Sequence, residues 1–389
     1  MVKVRTSDKF FGMEIKEEAT YGTDPAWPGA SIPFIEDTLT FEDAEFAESA
    51  EFGAFGAWTG AEKGVRIVKG TIKINPRYNE SWFWLLFGQG FGSEDLVVDR
   101  EIEDDVTVAT GLNTHIFSNL GVVTPKGLSA RTFLQGPTNG AGTFIKRING
   151  LICNKWTWEQ PAGAEQPTLE MEFLGSLIAM DSGSGVTPAL LTTTDVKVKG
   201  FDMDATRTKS HLKLGAVTMA DFNVSAFTIV SDRGIETPEE YLNNALSLSK
   251  PGQEVTREIT VDIEGFIEQD FHAVDKPSLE HFNDTATKLA FAYESATDAI
   301  AGKPYTVRFD MPNMHWTKFE APITGPGQIP LTASGRAALG DVDNFDAPFN
   351  EHNTVPPAGS TDFRVLVHVD GATDEPSADT KFTALADAI

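Results

Sequence analysis

Apolar residues recur at every second position through many short stretches of this chain, and seldom at the spacing of a helix face. IVKGTIKIN at 67–75 and TREITVDIE at 256–264 both alternate in this way, as strands do when one face is buried and the other meets water. Ahead of each lies another extended run, PFIEDTLTFED at 33–43 and FNVSAFTIVSD at 222–232, followed by a long excursion. Helical signals are few. They predict helices over 79–90, with Asn79 as cap, over 278–291, after Pro277, and over 237–247, where Thr237, Pro238 and Glu240 complete a capping box. Frequent Gly and Pro between the runs supply the turns of a mainly β fold.

The runs repeat. NKWTWEQPAGAEQPTLEMEFLGS at 154–176 matches MHWTKFEAPITGPGQIPLTASGR at 314–336 without a gap, Trp156 meeting Trp316 and Thr157 meeting Thr317. Leu169, Met171, Phe173 and Gly175 then meet Ile329, Leu331, Ala333 and Gly335. At the front of each half, Ile72 and Ile74 meet Val261 and Ile263. Each half thus reads as strand, excursion, strand, helix and two or three further strands, an order that suits a small β-sandwich or barrel with a helix on one side. The first copy is longer, and 93–111 supplies the difference. FRVLVHVDG at 363–371 alternates as a closing strand. The charge-poor segment DSGSGVTPALLTTTD at 181–195 marks the boundary, giving units over 1–185 and 196–370, a linker over 186–195 and a tail over 371–389.

A length of 389 residues suits two such units. The single cysteine, Cys153, sits among apolar neighbours and reads as a buried thiol. No segment is long and apolar enough to span a membrane as a helix, so the chain is expected to be soluble, made in the cytoplasm and without membrane binding. Acidic residues number 57 against 31 basic, for a net charge of −26. That excess argues against ordinary nucleic-acid binding, which needs Lys and Arg on phosphate, and leaves room for a surface that repels DNA.

Candidate chemistry is sparse. Asp202 and Asp204 lack the further oxygen ligands a cation needs. Glu170 and Glu172 alternate with apolar residues as on any half-buried strand. The seven histidines form no HxxxH or HxH pair, and no nucleophile elbow or phosphate loop occurs. No catalytic residue, metal ligand or cofactor is expected.

Three segments resemble the tail tube (major tail) proteins of long-tailed bacteriophages. TYGTDPAWPGASIPFIEDTLTFE at 20–42 is similar to the family's opening turn and first core strand. GVRIVKGTIKINPRYNESWFWLLFGQGFG at 64–92 resembles its strand-to-helix passage, and 148–176 its hairpin. The resemblance implies two tandem tail-tube-like β-sandwich/barrel domains, each with a flanking α-helix. It implies four strands per domain in a channel-lining barrel, homotrimeric rings of pseudo-sixfold symmetry, stacking into a tube, other tail proteins at its ends, and passage of double-stranded DNA. Another ring-forming tail or baseplate component and a carbohydrate-binding β-sandwich are the alternatives. Phe46, Phe52, Phe55 and Trp58, in the excursion 43–64, are the candidates for contact between rings. Lys69, Lys73, Glu258, Asp262, Glu264, Glu268 and Asp270 are those for the lumen or for seams between subunits, where the basic strand is expected to attract the acidic one.

Overall fold

The computed structural model describes residues 10–27, 30–47, 61–78, 93–98, 111–118, 127–135, 143–162, 166–183, 212–214, 217–218, 223–235, 257–266, 286–300, 303–323, 327–341, 360–361 and 363–370. The strands of the first half are β1 (Phe10–Glu17), β2 (Ala30–Ile32), β3 (Glu36–Asp37), β4 (Thr40–Ala47), β5 (Ala61–Ile74), β6 (Ser93–Val98), β7 (Leu112–Ser118), β8 (Leu128–Gln135), β9 (Thr143–Gln160), β10 (Thr168–Gly175) and β11 (Leu177–Gly183). Those of the second are β12 (Leu212–Leu214), β13 (Val217–Thr218), β14 (Asn223–Asp232), β15 (Glu258–Phe266), β16 (Ala286–Ile300), β17 (Lys303–Glu320), β18 (Pro330–Ala337), β19 (Gly340–Asp341), β20 (Ser360–Thr361) and β21 (Arg364–Asp370).

Two strands of 18 residues, β9 and β17, organise everything else. The first part of β9 lies between β8 and β11, and its last part between β10 and β14. In the same way the first part of β17 lies between β16 and β21, and its last part pairs with β18. Outside β10 come β5 and then β4; outside β18 come β15 and then β14. Strand β1, held between β2 and β8, pairs with β8 as β12, which also pairs with β13, pairs with β16. Strand order is therefore the same in both halves. The hairpin β6–β7 is the addition: β7 pairs with β21, so this insert of the first half extends the sheet of the second.

One apolar cluster joins the halves. Ile72, Met171, Trp156, Trp158, Ile229, Val261, Phe291, Phe309 and Val367 all belong to it, each essentially without solvent contact. Trp158 meets Phe309 edge-on at 4.9 Å between ring centroids, and Trp156 meets Phe363 at 5.7 Å. Gly70 is required where β3 turns into β4: its φ is +148°, and a β-carbon there would stand 2.7 Å from Leu39 Cα and Thr38 O.

The helix expected over 278–291 is corrected. Residues from Ala286 onward form β16, in which Leu289, Phe291 and Tyr293 alternate into the core. The strand runs on to Ile300, beyond the window in which the capping signal at Pro277 and Ser278 suggested a helix. The helices expected over 79–90 and 237–247, the linker 186–195 and the tail 371–389 lie outside the described residues.

The gapless match of the two hairpins also changes. Each hairpin has one bulge, passing over Asn154 in β9 and Thr317 in β17. Aligning the bulges puts Trp316 in the place of Cys153, and Phe319 in that of Trp156. The tryptophans are thus not equivalent, although the strands carrying them are. Similarly, Ile72 takes the place of Ile263 rather than Val261, a slip of two residues that leaves the buried face unchanged.

Candidate functional site

Eight strands form one antiparallel sheet in the order β4–β5–β10–β9–β14–β15–β18–β17. Its alternation is sharp, with Ile259, Val261 and Ile263 buried while Glu258, Asp262 and Glu264 are exposed. The face opposite the core is mainly polar, with Val230 on β14 and the exposed Phe266 on β15 as apolar exceptions. It carries Lys69, Thr71 and Lys73 on β5, Glu170 and Glu172 on β10, and Lys155, Thr157 and Glu159 on β9. It continues through Thr228 and Asp232 on β14, Asp262 and Glu264 on β15, Ser334 and Arg336 on β18, and Lys318 and Glu320 on β17. Carboxylates outnumber cations, and several charges are matched between neighbouring strands. Lys73 lies 3.8 Å from Glu170, Arg336 pairs with Glu258, and Ser334 donates to Asp262 at 2.5 Å.

Of the residues singled out for the lumen or seams, Lys69, Lys73, Glu258, Asp262 and Glu264 therefore share this face. Glu268 and Asp270 lie outside the described residues. The basic strand β5 and the acidic strand β15 are separated by β10, β9 and β14, so they do not meet across a seam within the chain. Among the excursion aromatics, Phe46 falls on β4, opposite Glu62 of β5. Phe52, Phe55 and Trp58 lie outside the described residues.

The seam between the halves is β9 against β14, and it is strongly fastened. Lys155 stands opposite Asp232 and Trp158 opposite Ile229. Buried Arg233 donates from Nη1 to Cys153 O at 3.2 Å and from its amide to Asn154 O at 2.9 Å. The Asn154 side chain accepts from Ile235 N at 2.8 Å. Cys153, fully buried here, has its thiol pushed up to about 12 by desolvation, which suits a packing role and not a nucleophile. These fasteners were not foreseen. Arg233 carries no sign in the sequence that it would be buried.

Two motifs far apart in the chain meet near the middle of β9, at Gly150. The Glu18 carboxylate, just before the Tyr-Gly-Thr turn, accepts from Gly22 N at 2.5 Å, Ser129 Oγ at 2.5 Å and Gly150 N at 2.7 Å. Burial raises its pKa above 4.5, against the lowering effect of those donors. Gly150 has φ +72°, and a β-carbon on it would lie 2.9 Å from Tyr21 Cζ. The opening turn and the start of the hairpin are thus locked together around one buried carboxylate.

The sheet has two outer edges, β4 and the last part of β17, and among the described residues no strand pairs with either. Leu39 shows how an edge is blunted. Its amide donates to Asp37 Oδ1 at 3.0 Å and its carbonyl accepts from Lys146 Nζ at 3.2 Å. Among the described residues no group of three or more His, Cys, Asp or Glu side chains is placed to hold a metal ion.

No curated protein matches the sequence significantly. The family profile of phage tail tube proteins matches residues 13–337, which take in both open edges and the whole sheet between them. The chain therefore belongs to the phage tail tube protein family, the structural proteins of the virion tail that assemble into its tube.

Proposed function

We propose that three copies of this chain close a ring of pseudo-sixfold symmetry, and that such rings stack into the tail tube of a long-tailed phage. In this reading residues 1–185 and 196–370 are two tandem tube units joined by 186–195, with 371–389 as a tail. One observation carries it: the four-strand order β4–β5–β10–β9 recurs as β14–β15–β18–β17, and the two sets join edge to edge through β9 and β14. A chain that already joins two units in this way leaves one edge at each end for its neighbours. Ring closure removes both edges. Twenty-four strands, spaced about 4.8 Å and tilted roughly 40°, make a barrel on the order of 50 Å across its backbone. That width admits duplex DNA after side chains intrude. The polar, acid-rich face of the sheet then lines the channel and lets DNA pass during ejection without holding it.

Assembly takes place in the host cytoplasm, and other tail proteins cap the tube's two ends. Negative-stain electron microscopy with sedimentation tests the proposal on the full chain. Tubes, or trimeric rings that stack, are expected. Single rings that never stack would point instead to a distal or baseplate ring. Monomers alone at high concentration and neutral pH would defeat the ring reading.

A further inference from the structure

We infer that ring closure builds an apolar patch from Phe266 and Ile323 of one chain and Ile35 of the next, and that this patch receives the end of the β4–β5 hairpin of a copy in the adjacent ring. The inference rests on the ring assembly proposed above and adds which end of the sheet meets which in the stack.

Among the described residues the large apolar side chains left in solvent are Ile35, Phe266, Ile323 and Leu339, each at least 38% exposed. The first three mark one rim of the eight-stranded sheet. Strands β5, β15 and the last part of β17 all run toward this rim, and β10 and β18 start from it. Phe266 stands opposite Pro330 at the last rung of β15 with β18. Ile323 lies just past Glu320, the last rung of β17 with β18. Ile35 precedes β3 beside the end of β5, where its amide donates to Lys73 O at 2.7 Å. Leu339 is at the other end of β18, its carbonyl accepting from the Asn313 side chain.

Within one chain Ile35 and Ile323 sit at opposite edges of the sheet. Ring closure sets the last part of β17 beside β3 and β4 of the next chain, and so brings that chain's Ile35 to the β17–β18 turn. Phe266 follows two strands in. An apolar stretch divided between two edges of a single chain thereby becomes one patch. The first unit offers no counterpart: Asn75 takes the place of Phe266, and the turn 161–167 has no large apolar residue where 321–329 has Ile323 and Ile329. The patch therefore occurs once for each chain in the ring.

The occupant comes from the opposite end of the sheet. Strand β5 pairs with β10 only from Val68 to Ile74, while its ladder with β4 runs back to Ala61 opposite Ala47. The hairpin thus outruns β10 over residues 61–67, about 20 Å of strand, in the direction away from the rim. Residues 48–60, which join its two strands, include Phe52, Phe55 and Trp58. Patch and projection lie at opposite ends of one sheet, one of each per chain. That is a heterologous contact, which repeats without closing. A rim meeting an identical rim would cover the patch in a pair of rings and end growth there. Apolar area taken from water supplies the driving force.

Two measurements on the full chain test this. In the first, Ile35→Ser, Phe266→Ser and Ile323→Ser are combined, all at exposed sites where the change leaves no cavity. Sedimentation is expected to show rings of unaltered mass, with the concentration needed for stacking raised at least about tenfold. Leu339→Ser, exposed but away from the rim, is expected to leave tubes unchanged. In the second, Ile323→Cys is labelled with a benzophenone maleimide, which buried Cys153 does not meet, and is mixed sparsely with the natural chain. After illumination, cross-linked peptides are mapped by mass spectrometry. Single rings are expected to give cross-links to the peptide around Ile35 of another chain, and tubes to add peptides from 45–63. A triple variant that stacks at the natural concentration would overturn the inference and leave the ring reading standing. So would cross-links that join rim to rim or miss both expected segments, and these decide the matter if the triple variant forms no rings. A natural chain that forms neither rings nor tubes would overturn both.

Discussion

The indole Nε1 of Trp158 donates to the hydroxyl of Tyr293 at 3.0 Å, and that hydroxyl donates in turn to Gln160 Oε1 at 3.2 Å. All three groups are buried, and they tie β9 of the first half to β16 of the second through the core. Removing the hydroxyl leaves a donor and an acceptor in a dry interior, which costs about 1–3 kcal/mol. Tyr293→Phe is therefore expected to lower the urea unfolding midpoint without changing the slope of the transition. A loss below about 0.5 kcal/mol would mean that the three groups are not coupled as the geometry indicates. Because the link crosses between halves, both halves should lose stability together rather than one alone.

Glu18 makes stability depend on pH in a defined direction. Desolvation raises its pKa in the fold above 4.5, so the native chain binds a proton where the unfolded chain has already released it. Its contribution to stability is full below 4.5 and is lost as pH rises through the native value. Glu18→Gln removes the titration while keeping an acceptor near Gly22, Ser129 and Gly150. The stability of the natural chain minus that of the variant should shrink with rising pH and then level off. A difference that stays constant from pH 4 to pH 8 would show that the carboxylate is not held in this way.

Much of the architecture was legible in the alternation of apolar and polar residues. TREITVDIE and IVKGTIKIN became the second strand of each four-strand set, and the extra hairpin β6–β7 falls where the first half was longer. What misled was alignment by residue identity. Matching Trp156 to Trp316 ignored the bulges at Asn154 and Thr317, and a bulge shifts register with no mark in composition. The helix over 278–291 failed because a capping signal outweighed the alternation of Leu289, Phe291 and Tyr293 into the core. Long-range fasteners such as Arg233 and Glu18 depend on which strands become neighbours, and local pattern does not encode that. The seam lysine Lys155, opposite Asp232, was overlooked because it heads the run Trp156–Trp158, which was read for its apolar side alone.

The excursion aromatics remain candidates for contact between rings. The β4–β5 ladder extends as far as Ala47 and Ala61, which places Phe52, Phe55 and Trp58 in the segment between its two ends. Replacing these three by Ser, and leaving Phe46 in the ladder, should spare the fold and ring closure while reducing stacking. Electron microscopy is expected to show rings or short stubs in place of long tubes, with an unchanged far-ultraviolet spectrum. Tubes of undiminished length would remove these residues from the contact.

The acid-rich face of the sheet predicts how the tube treats DNA. Asp262 and Glu264 lie exposed on β15, where reversal creates no buried charge. Asp262→Lys with Glu264→Lys changes each domain pair by four charge units in favour of phosphate, with the loss of the Ser334–Asp262 hydrogen bond as the main structural cost. If this face lines the channel, each reversed side chain becomes a phosphate contact, repeated in every ring along the tube. Short duplex DNA should then be retained by assembled variant tubes at about 50 mM salt and released by a few hundred millimolar, with a steep dependence of affinity on salt. Tubes of the natural chain should retain none at either concentration. A duplex too short to bridge tubes separates lumen from exterior: retention that survives nuclease treatment of intact tubes places the DNA inside. Variant tubes whose bound DNA is fully digested would put β15's polar face on the outside, and the acidic lining would have to come from another surface.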